Sequence, residues 1–458
     1  MKLVYIAAGA GGMYCGSCLH DNTLAATLID EGIDVMLVPT YTPLRTDETS
    51  VSEHRVFFGG VNVYLQQKLS LFRHTPAFID RLLDSPALIS WLAERSVSTR
   101  PEDLGGLAVS MLQGEQGRQR KELAKLVDWL ARDARPDVVH LSNSMLSGMA
   151  GAIKRRLGVP IVCTLSGEDI FLEGIPDPYY TQAREELVRH AADIDHFVAL
   201  NNYYADFSAE YLQVPRARID VIPHGLKLEG HRSRAPRRSG DSAADDRVRT
   251  IGFLARICRE KGLHQLVEAF GLLVADESLP PLRLVAAGYL SAAERPYLEG
   301  IRQTAIDHGL ADRFDYVGEL DRAEKIAFLQ SLDVMSVPTV YRESKGLPVL
   351  EALANGVPVV LPRHGAFPEM IEATGGGLLC EPDDPRSLAA ALRRLISDDA
   401  LCARCGQNGY DAVREQFTAD LMARRTLALY NRLLDLKCSP QVVRSIESAS
   451  ESFPTSRG

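Results

Sequence analysis

Tyr341-Arg-Glu-Ser-Lys-Gly-Leu-Pro-Val-Leu-Glu351 carries two acids, Glu343 and Glu351, with seven residues between them. The apolar run Leu332-Asp-Val-Met-Ser-Val-Pro338 before it reads as a short buried strand. Leu350-Glu-Ala-Leu-Ala-Asn-Gly356 after it reads as a helix closed by glycine, with Pro348 suited to the first turn. Strand, glycine loop and helix in that order point free backbone N–H groups and the positive end of a helix dipole into one crevice, where an anion is favoured. The spacing puts Glu343 on the loop and Glu351 in the opening turn of the helix. An anion site flanked by acids suits a sugar nucleotide, with amides on the phosphates and carboxylates on the hydroxyls.

The same alternation runs outward in both directions. Val248–Leu254, Leu282–Gly288, Phe314–Gly318 and Val357–Leu361 read as further strands with helices between them. At the other end, Lys2–Ala8, a glycine-rich turn, a helix from about Cys18 to Asp30 and the strand Ile33–Pro39 form a βαβ opening. Strands follow at Asp137–Ser142, Pro160–Leu165, His196–Leu200 and Ile219–Pro223. Two Rossmann-like α/β halves result. Gly9-x-Gly11-Gly12 does not fit the GxGxxG dinucleotide fingerprint, so a dinucleotide oxidoreductase is disfavoured. Ligands gather at the carboxyl ends of strands in open α/β sheets. His140, Asn143, Ser166, Glu168, Asp169, Asn201 and Asn202 therefore share one candidate rim.

The boundaries follow from composition. An N-terminal domain spans 1–228. A polar stretch without periodicity at 229–247 reads as a linker or exposed loop. The second domain spans 248–416, and an amphipathic helix at 417–438 is expected to pack back on the first. The Ser-rich segment 439–458 reads as disordered. Within residues 60–135, Gly60–Leu65 reads as a strand, and the segments at Phe78 and Leu88 have amphipathic spacing. The basic-aromatic spot Lys68–His74 before those two segments is a candidate for peripheral membrane contact, against an ordinary core reading.

At 458 residues the chain suits two cores rather than one. Its net charge of -9 argues against a nucleic-acid partner, whose footprint would be basic. The N-terminal strand and turn do not read as a signal peptide, and no apolar run approaches the ~18 residues of a spanning helix, so the expected location is cytoplasmic. Two pairs among the eight cysteines have CxxC spacing, Cys15/Cys18 and Cys402/Cys405. Neither has a zinc-ribbon context, and reduced packing cysteines are the expectation.

Two cations, Arg256 and Lys261, stand five apart in Leu254-Ala-Arg-Ile-Cys-Arg-Glu-Lys-Gly262, at a strand-to-helix turn. A bidentate guanidinium beside a point-charge ammonium suits a diphosphate. Alone, the pair would read as a solvated turn; beside the paired acids it gains weight. Gly365-Ala-Phe-Pro-Glu369 opens another helix next to the acid crevice, and the dipole favours an acid at Glu369 in any case.

Taken together these stretches resemble the donor domain of GT-B glycosyltransferases, specifically retaining family 4. Gly252–Gly262 matches the G-x-L-x-x-x-K-G type motif, Glu343 and Glu351 the E-x7-E motif, and Gly356-Val-Pro-Val and Gly365–Glu369 two further segments. The first half is similar in its Gly11-Gly12 loop, its D-V-V-H strand end at His140 and its Ile222-Pro-His-Gly225 junction. The likeness covers about residues 1 to 436. Four ordered motifs are specific together, although none is alone.

The resemblance implies a GT-B fold with two Rossmann-like domains across a cleft. It implies a metal-independent, retaining, hexosyltransferase-type transfer from a UDP- or GDP-sugar, without a cofactor. The acceptor would be a lipid-linked sugar, glycan or small molecule. By the same resemblance, Arg256 and Lys261 bind the diphosphate with the backbone at Gly12, Gly346 and Leu347. Glu351 holds the ribose. Glu343 lies at the donor sugar as nucleophile or electrostatic stabiliser, and His140 faces that sugar from the other domain. Ser166, Glu168, Asp169 and Asn201 belong to the acceptor side. The sequence departs from the family at Ser166, Lys227 and Lys345, which bears on the sugar and acceptor more than on the diphosphate. A GT-B epimerase, a phosphorylase-like enzyme and a non-catalytic sugar-nucleotide-binding protein stay open as alternatives.

Overall fold

The computed structural model describes residues 1–9, 15–53, 57–58, 101–232 and 248–438. Gly12, the 60–65 strand, the Lys68–His74 spot, the segments at Phe78 and Leu88, the linker from 233 and the tail from 439 lie outside the described residues.

Strands β1 (Lys2–Ala8), β2 (Asp34–Thr40), β3 (Val138–Leu141), β4 (Ile161–Leu165), β5 (His196–Ala199) and β6 (Ile219–Val221) form a parallel sheet in the order β2-β1-β3-β4-β5-β6. A second parallel sheet contains β7 (Arg249–Leu254), β8 (Leu282–Ala287), β9 (Phe314–Tyr316), β10 (Val334–Ser336), β11 (Val359–Pro362) and β12 (Gly377–Cys380), in the order β12-β11-β10-β7-β8-β9. Numbered from its own first strand, the second sheet runs 6-5-4-1-2-3, the doubly wound arrangement read from its far edge. The fold is GT-B: two Rossmann-like domains, each an open parallel sheet covered by helices.

Burial on both faces explains the continuous apolar strands. In β1, Val4 and Ile6 enter one core cluster, while Leu3, Tyr5 and Ala7 enter another on the opposite face. The second face is closed partly from a distance. The helix Ala419–Cys438 supplies Met422, Ala423, Leu429 and Tyr430 to it, beside Leu24, Ala25 and Leu28 of the helix Gly16–Asp30. The return is stitched where the Leu226 amide donates to the Phe417 carbonyl (2.8 Å) and the Ala419 amide to the Leu226 carbonyl (2.9 Å). Arg432 adds an ion pair with Asp220 at 2.7 Å. Apart from this C-terminal helix, residues up to 232 mainly build the first sheet's layers and residues from 248 the second's, with Leu19 and Leu226 joining the second core.

Two local expectations need correcting. β12 was not read from the sequence: Gly-Leu-Leu-Cys is four residues long, sits at the sheet edge and is only half-buried at its centre, so its apolar signal is weak. The helix after the glycine loop runs Leu347–Ala354, which makes Glu351 its fifth residue. Glu351 thus stands at the start of the second turn rather than in the first.

Topology decides where a ligand can sit. Among the described strands each sheet has one switch point, between β1 and β3 and between β7 and β10. The segment after β7 carries Arg256 and Lys261, and the segment after β10 carries Tyr341 to Gly346, so one crevice receives both motifs. Gly262 makes the first of these turns possible. Its φ is +78°, and an added Cβ would lie 1.7 Å from the Pro338 carbonyl oxygen. Gly262→Val should therefore cost at least about 1–3 kcal/mol from backbone strain alone, with the clash in addition. Thermal unfolding should show a clear drop in Tm. A variant as stable as the parent would contradict the close approach of these two loops.

Candidate active site in the interdomain cleft

Glu343 is the most heavily bonded group in the crevice. It is buried, 7% exposed. Its Oε2 accepts from Lys261 Nζ at 2.7 Å and from Tyr341 Oη at 2.8 Å. Its Oε1 accepts from the backbone amides of Ser344 (3.2 Å) and Lys345 (3.1 Å). Burial pushes this carboxyl up, but the Lys261 ammonium and these hydrogen bonds outweigh it and hold the pKa down at about 2. Lys261 also donates to Tyr341. The Arg256 side chain is exposed and makes no hydrogen bond or ion pair with described residues, while its charge acts on Tyr341 of this cluster. The structure thus brings Arg256, Lys261 and Glu343 together, with Tyr341 added to the set.

The helix start beyond Glu343 is shaped by Gly346, whose φ is +68°. An added Cβ there would lie 2.4 Å from Met370 Cε. The first backbone bond of this turn runs from the Val349 amide to the Gly346 carbonyl at 3.0 Å, so the Gly346 and Leu347 amides precede the bonded ladder.

Glu351 lies deeper, 4% exposed. Its Oε1 is paired with Lys325 Nζ, which also pairs with Asp47 of the first domain. One buried ammonium therefore serves two carboxylates, one from each half. Burial opposes the charge on Lys325, yet the two acids raise its pKa. Burial pushes Glu351 up as well, with Lys325 opposing. Glu351 Oε2 accepts no hydrogen bond from described residues, which leaves one lone-pair edge of this acid available.

The two halves touch at several further points. Glu369 sits in the first turn of its own helix, Phe367–Thr374, and reaches across to the other half. Its carboxylate accepts from the Asn202 amide (3.0 Å), Asn202 Nδ2 (2.8 Å) and the Tyr203 amide (3.1 Å), at the start of the helix Asn202–Tyr211 in the first domain. Asn201 caps that helix by accepting from the Tyr204 amide (2.9 Å) and donates Nδ2 to the Ser344 carbonyl (2.7 Å). Lys345 Nζ crosses to Ser17 Oγ at 2.6 Å. A narrow pocket lies at this crossing, lined by Ser17, His20, Ser166, His224, Lys345 and Leu347 among others.

His140 is the main correction. The sequence places it at a strand end on the rim. The structure puts its ring in the core, 1% exposed, with Nδ1 2.5 Å from Tyr430 Oη and Nε2 2.8 Å from Thr164 Oγ1. Burial, assisted by His20, pulls its pKa down to about 3, so the ring is neutral at pH 7. Both nitrogens are occupied and neither faces the cleft. Glu168 is also withdrawn. It accepts from the Ser144 (2.9 Å) and Ser166 (2.8 Å) amides and staples two loops. Asp169 accepts from Tyr204 Oη at 2.6 Å. Ser166 does line the cavity, and Gly12 lies outside the described residues.

The imidazoles that reach the cavity are His20 and His224. Their Nδ1 atoms are 2.8 Å apart, so one donates and the other accepts, and the pair is neutral. Burial, then Lys345, pulls the His20 pKa down to about 4. His224 is lowered by burial and by neighbouring His20, Lys345 and Lys325. His224 belongs to the Ile222–Gly225 junction motif, whereas His20, one turn into a helix, carries no signal in the sequence around it.

With this geometry in hand, two family models match the chain. "Glycosyl transferase 4-like domain" matches residues 22–225 and "Glycosyl transferases group 1" matches residues 236–412. The D-inositol 3-phosphate glycosyltransferase of Nocardioides is 30% identical over 313 residues, covering 65% of this chain and 67% of that protein. Glycogen synthase of Mycobacterium tuberculosis is 27% identical, covering 65% and 69%. Among solved structures, sucrose-phosphate synthase of Thermosynechococcus elongatus superposes with TM-score 0.66 at 19% identity, over 95% of this chain and 100% of that one. HepE of Anabaena, solved in complex with UDP, superposes with TM-score 0.64 at 17% identity, over 94% and 100%. The matched halves, their order and the crevice between them agree: the chain belongs to the group 1 glycosyltransferases and is a GT-B glycosyltransferase.

Proposed function

We propose that this glycosyltransferase moves a hexosyl group from a UDP- or GDP-sugar to a hydroxyl of a glycan, glycolipid or small molecule, with retention of anomeric configuration and without a metal. The observation that carries the reading is the convergence of Arg256, Lys261 and the Gly346–Leu347 amides on one crevice. These groups suit a diphosphate whose negative charge grows as the bond to the sugar breaks. The free Oε2 edge of Glu351 suits a ribose hydroxyl. HepE, crystallised with UDP, and the sugar-transferring relatives point the same way.

Glu343 acts electrostatically in this reading. A carboxylate with four hydrogen bonds and a pKa near 2 is a weak nucleophile and a lasting negative charge beside a cationic sugar. The C1–O bond to the diphosphate breaks, the acceptor oxygen bonds to C1 on the same face, and the leaving phosphate takes the acceptor's proton. The cavity at His20, Ser166 and Lys345 is the acceptor-side candidate in place of His140. Among the described residues no helix is long and apolar enough to cross a membrane. The reading keeps the cytoplasm as the compartment and Lys68–His74 as a candidate membrane contact.

A thermal-shift panel of UDP-, GDP- and ADP-sugars, run with and without a chelator, tests the donor. A ligand present at 100 times its Kd adds about 2.7 kcal/mol of apparent stability. One nucleotide sugar should raise Tm, equally with chelator, and its transfer product should keep the donor's anomeric configuration. A flat panel, or a shift abolished by chelation, would overturn the reading. Epimerised donor without a glycosylated product would turn it toward the epimerase.

A further inference from the structure

We propose that Cys15 and Cys18 are a redox-active dithiol at the edge of the cleft, with Cys15 the attacking thiolate and Cys18 the resolving thiol, which closes to an intramolecular disulfide. The claim starts from placement. Cys15-Gly-Ser-Cys18 begins the helix Gly16–Asp30, with Cys15 at the N-cap in an extended conformation, φ -129° and ψ 130°. Cys15 is half-buried, whereas Cys18 is fully buried with its Sγ 3.7 Å from the Ala8 carbonyl. One sulfur is reachable and the other is held behind it.

The second CxxC pair is an internal control. Cys402 and Cys405 have the same spacing but lie inside the helix Asp399–Gln416. Residues three apart within a helix have Cβ atoms about 5–6 Å apart, too far for the roughly 3.5–4.5 Å of a disulfide. Cys15 is outside the helical dihedrals, which frees it to approach Cys18.

The surroundings favour a thiolate at Cys15. The neighbouring Cys18, with the nearby Lys345 ammonium, lowers the Cys15 pKa well below the ordinary thiol range despite burial. The neighbouring Cys15, then burial, raises Cys18. Helix amides at the N-terminus act in the same sense on Cys15. The partner reagent is a low-molecular-weight disulfide. The Cys15 thiolate attacks one of its sulfurs and expels one thiolate. Cys18, giving up its proton, then attacks Cys15 Sγ and expels the second. Two protein thiols are oxidised and one external disulfide is reduced to two thiols. Oxidation removes the negative sulfur facing Lys345, and Lys345 is the side chain that crosses to Ser17 at the cavity.

Reduced protein equilibrated in graded mixtures of reduced and oxidised glutathione, trapped by alkylation and mapped by peptide mass, tests the proposal without any glycosyl-transfer assay. The expected result is a Cys15–Cys18 peptide lacking two hydrogens, while Cys402 and Cys405 stay reduced. Cys18→Ser should hold glutathione on Cys15. Iodoacetamide should alkylate Cys15 at pH 6 at least tenfold faster than Cys402, and Lys345→Met should move the pH midpoint of that reaction upward. Absence of the disulfide across the redox range, or equal alkylation of Cys15 and Cys402 at pH 6, would overturn the proposal. Neither outcome bears on the donor reading, which the nucleotide-sugar panel tests separately.

Discussion

Lys261→Met should lower kcat/KM for glycosyl transfer on the order of 10²–10³-fold, the loss that follows removal of one preorganised donor to a developing anion. Two effects combine. The proposed diphosphate loses its point charge, and Glu343 loses the ammonium 2.7 Å from Oε2. Burial, the first influence on Glu343, then acts with less opposition, and its pKa rises from about 2. In the parent the depressed pKa contributes stability at pH values above the ordinary carboxyl range, and this is lost as pH falls toward 2. In the variant the folded pKa lies closer to the unfolded one, so this contribution should be smaller and its loss complete at a higher pH. Breaking a buried pair costs about 3–5 kcal/mol, and Tyr341 with two amides still holds Glu343, so the low end is expected. Steady-state kinetics beside urea unfolding at pH 7 and pH 4.5 separates the effects. Lys261→Arg keeps the charge and should restore part of both. Unchanged kcat/KM in folded Lys261→Met would remove Lys261 from the site.

Lys325→Met should have the largest effect on stability. The parent shares one buried ammonium between Asp47 and Glu351. Without it two buried carboxylates face each other across the interdomain seam. The expected cost at pH 7 is about 3–5 kcal/mol. Its sign with pH is distinctive. Carboxylates left unpaired have folded-state pKa values raised above their unfolded ones. Stability is then fully present below the unfolded pKa and falls as pH rises through the folded one. The deficit of Lys325→Met relative to the parent should therefore shrink as pH falls from 7 to 5. Chemical unfolding at both pH values measures it. A deficit that is absent, or that grows on acidification, would show that the ammonium is not the partner of these acids. Donor affinity should also fall, because Glu351 presents its free edge while Lys325 fixes the other oxygen.

The second half was legible in the sequence because its chemistry is local. Glu343, Gly346 and Glu351 lie on one loop and helix, and Arg256 and Lys261 on one turn. Parallel strands with both faces buried write continuous apolar runs, so both sheets could be traced except for the short edge strand β12. What could not be read depends on partners distant in the chain. His140 looks like a rim residue until Tyr430, 290 positions later, closes over its ring. Lys325 is one charge on the helix Arg322–Ser331, and only the folded chain brings it between Asp47 and Glu351. Glu369 reads as an ordinary first-turn acid, yet it caps a helix of the other domain. His20 has no signal in its neighbours at all; its role comes from His224, 204 positions away, and from the cavity.

In the proposed function Arg256 and Lys261 hold the diphosphate of a nucleotide donor. Arg256 tests it most cleanly, because its side chain is exposed and makes no hydrogen bond or ion pair with described residues, so Arg256→Ala should leave the fold intact. The measurement is calorimetric titration of UDP and of GDP into the parent and into Arg256→Ala. A hydrogen bond to a charged group contributes about 1.5–3 kcal/mol, which corresponds to roughly 10–100-fold in Kd. One of the two nucleotides should bind the parent saturably, and the variant more weakly by that factor. Equal affinity in both proteins, or no binding of either nucleotide to the parent, would contradict it.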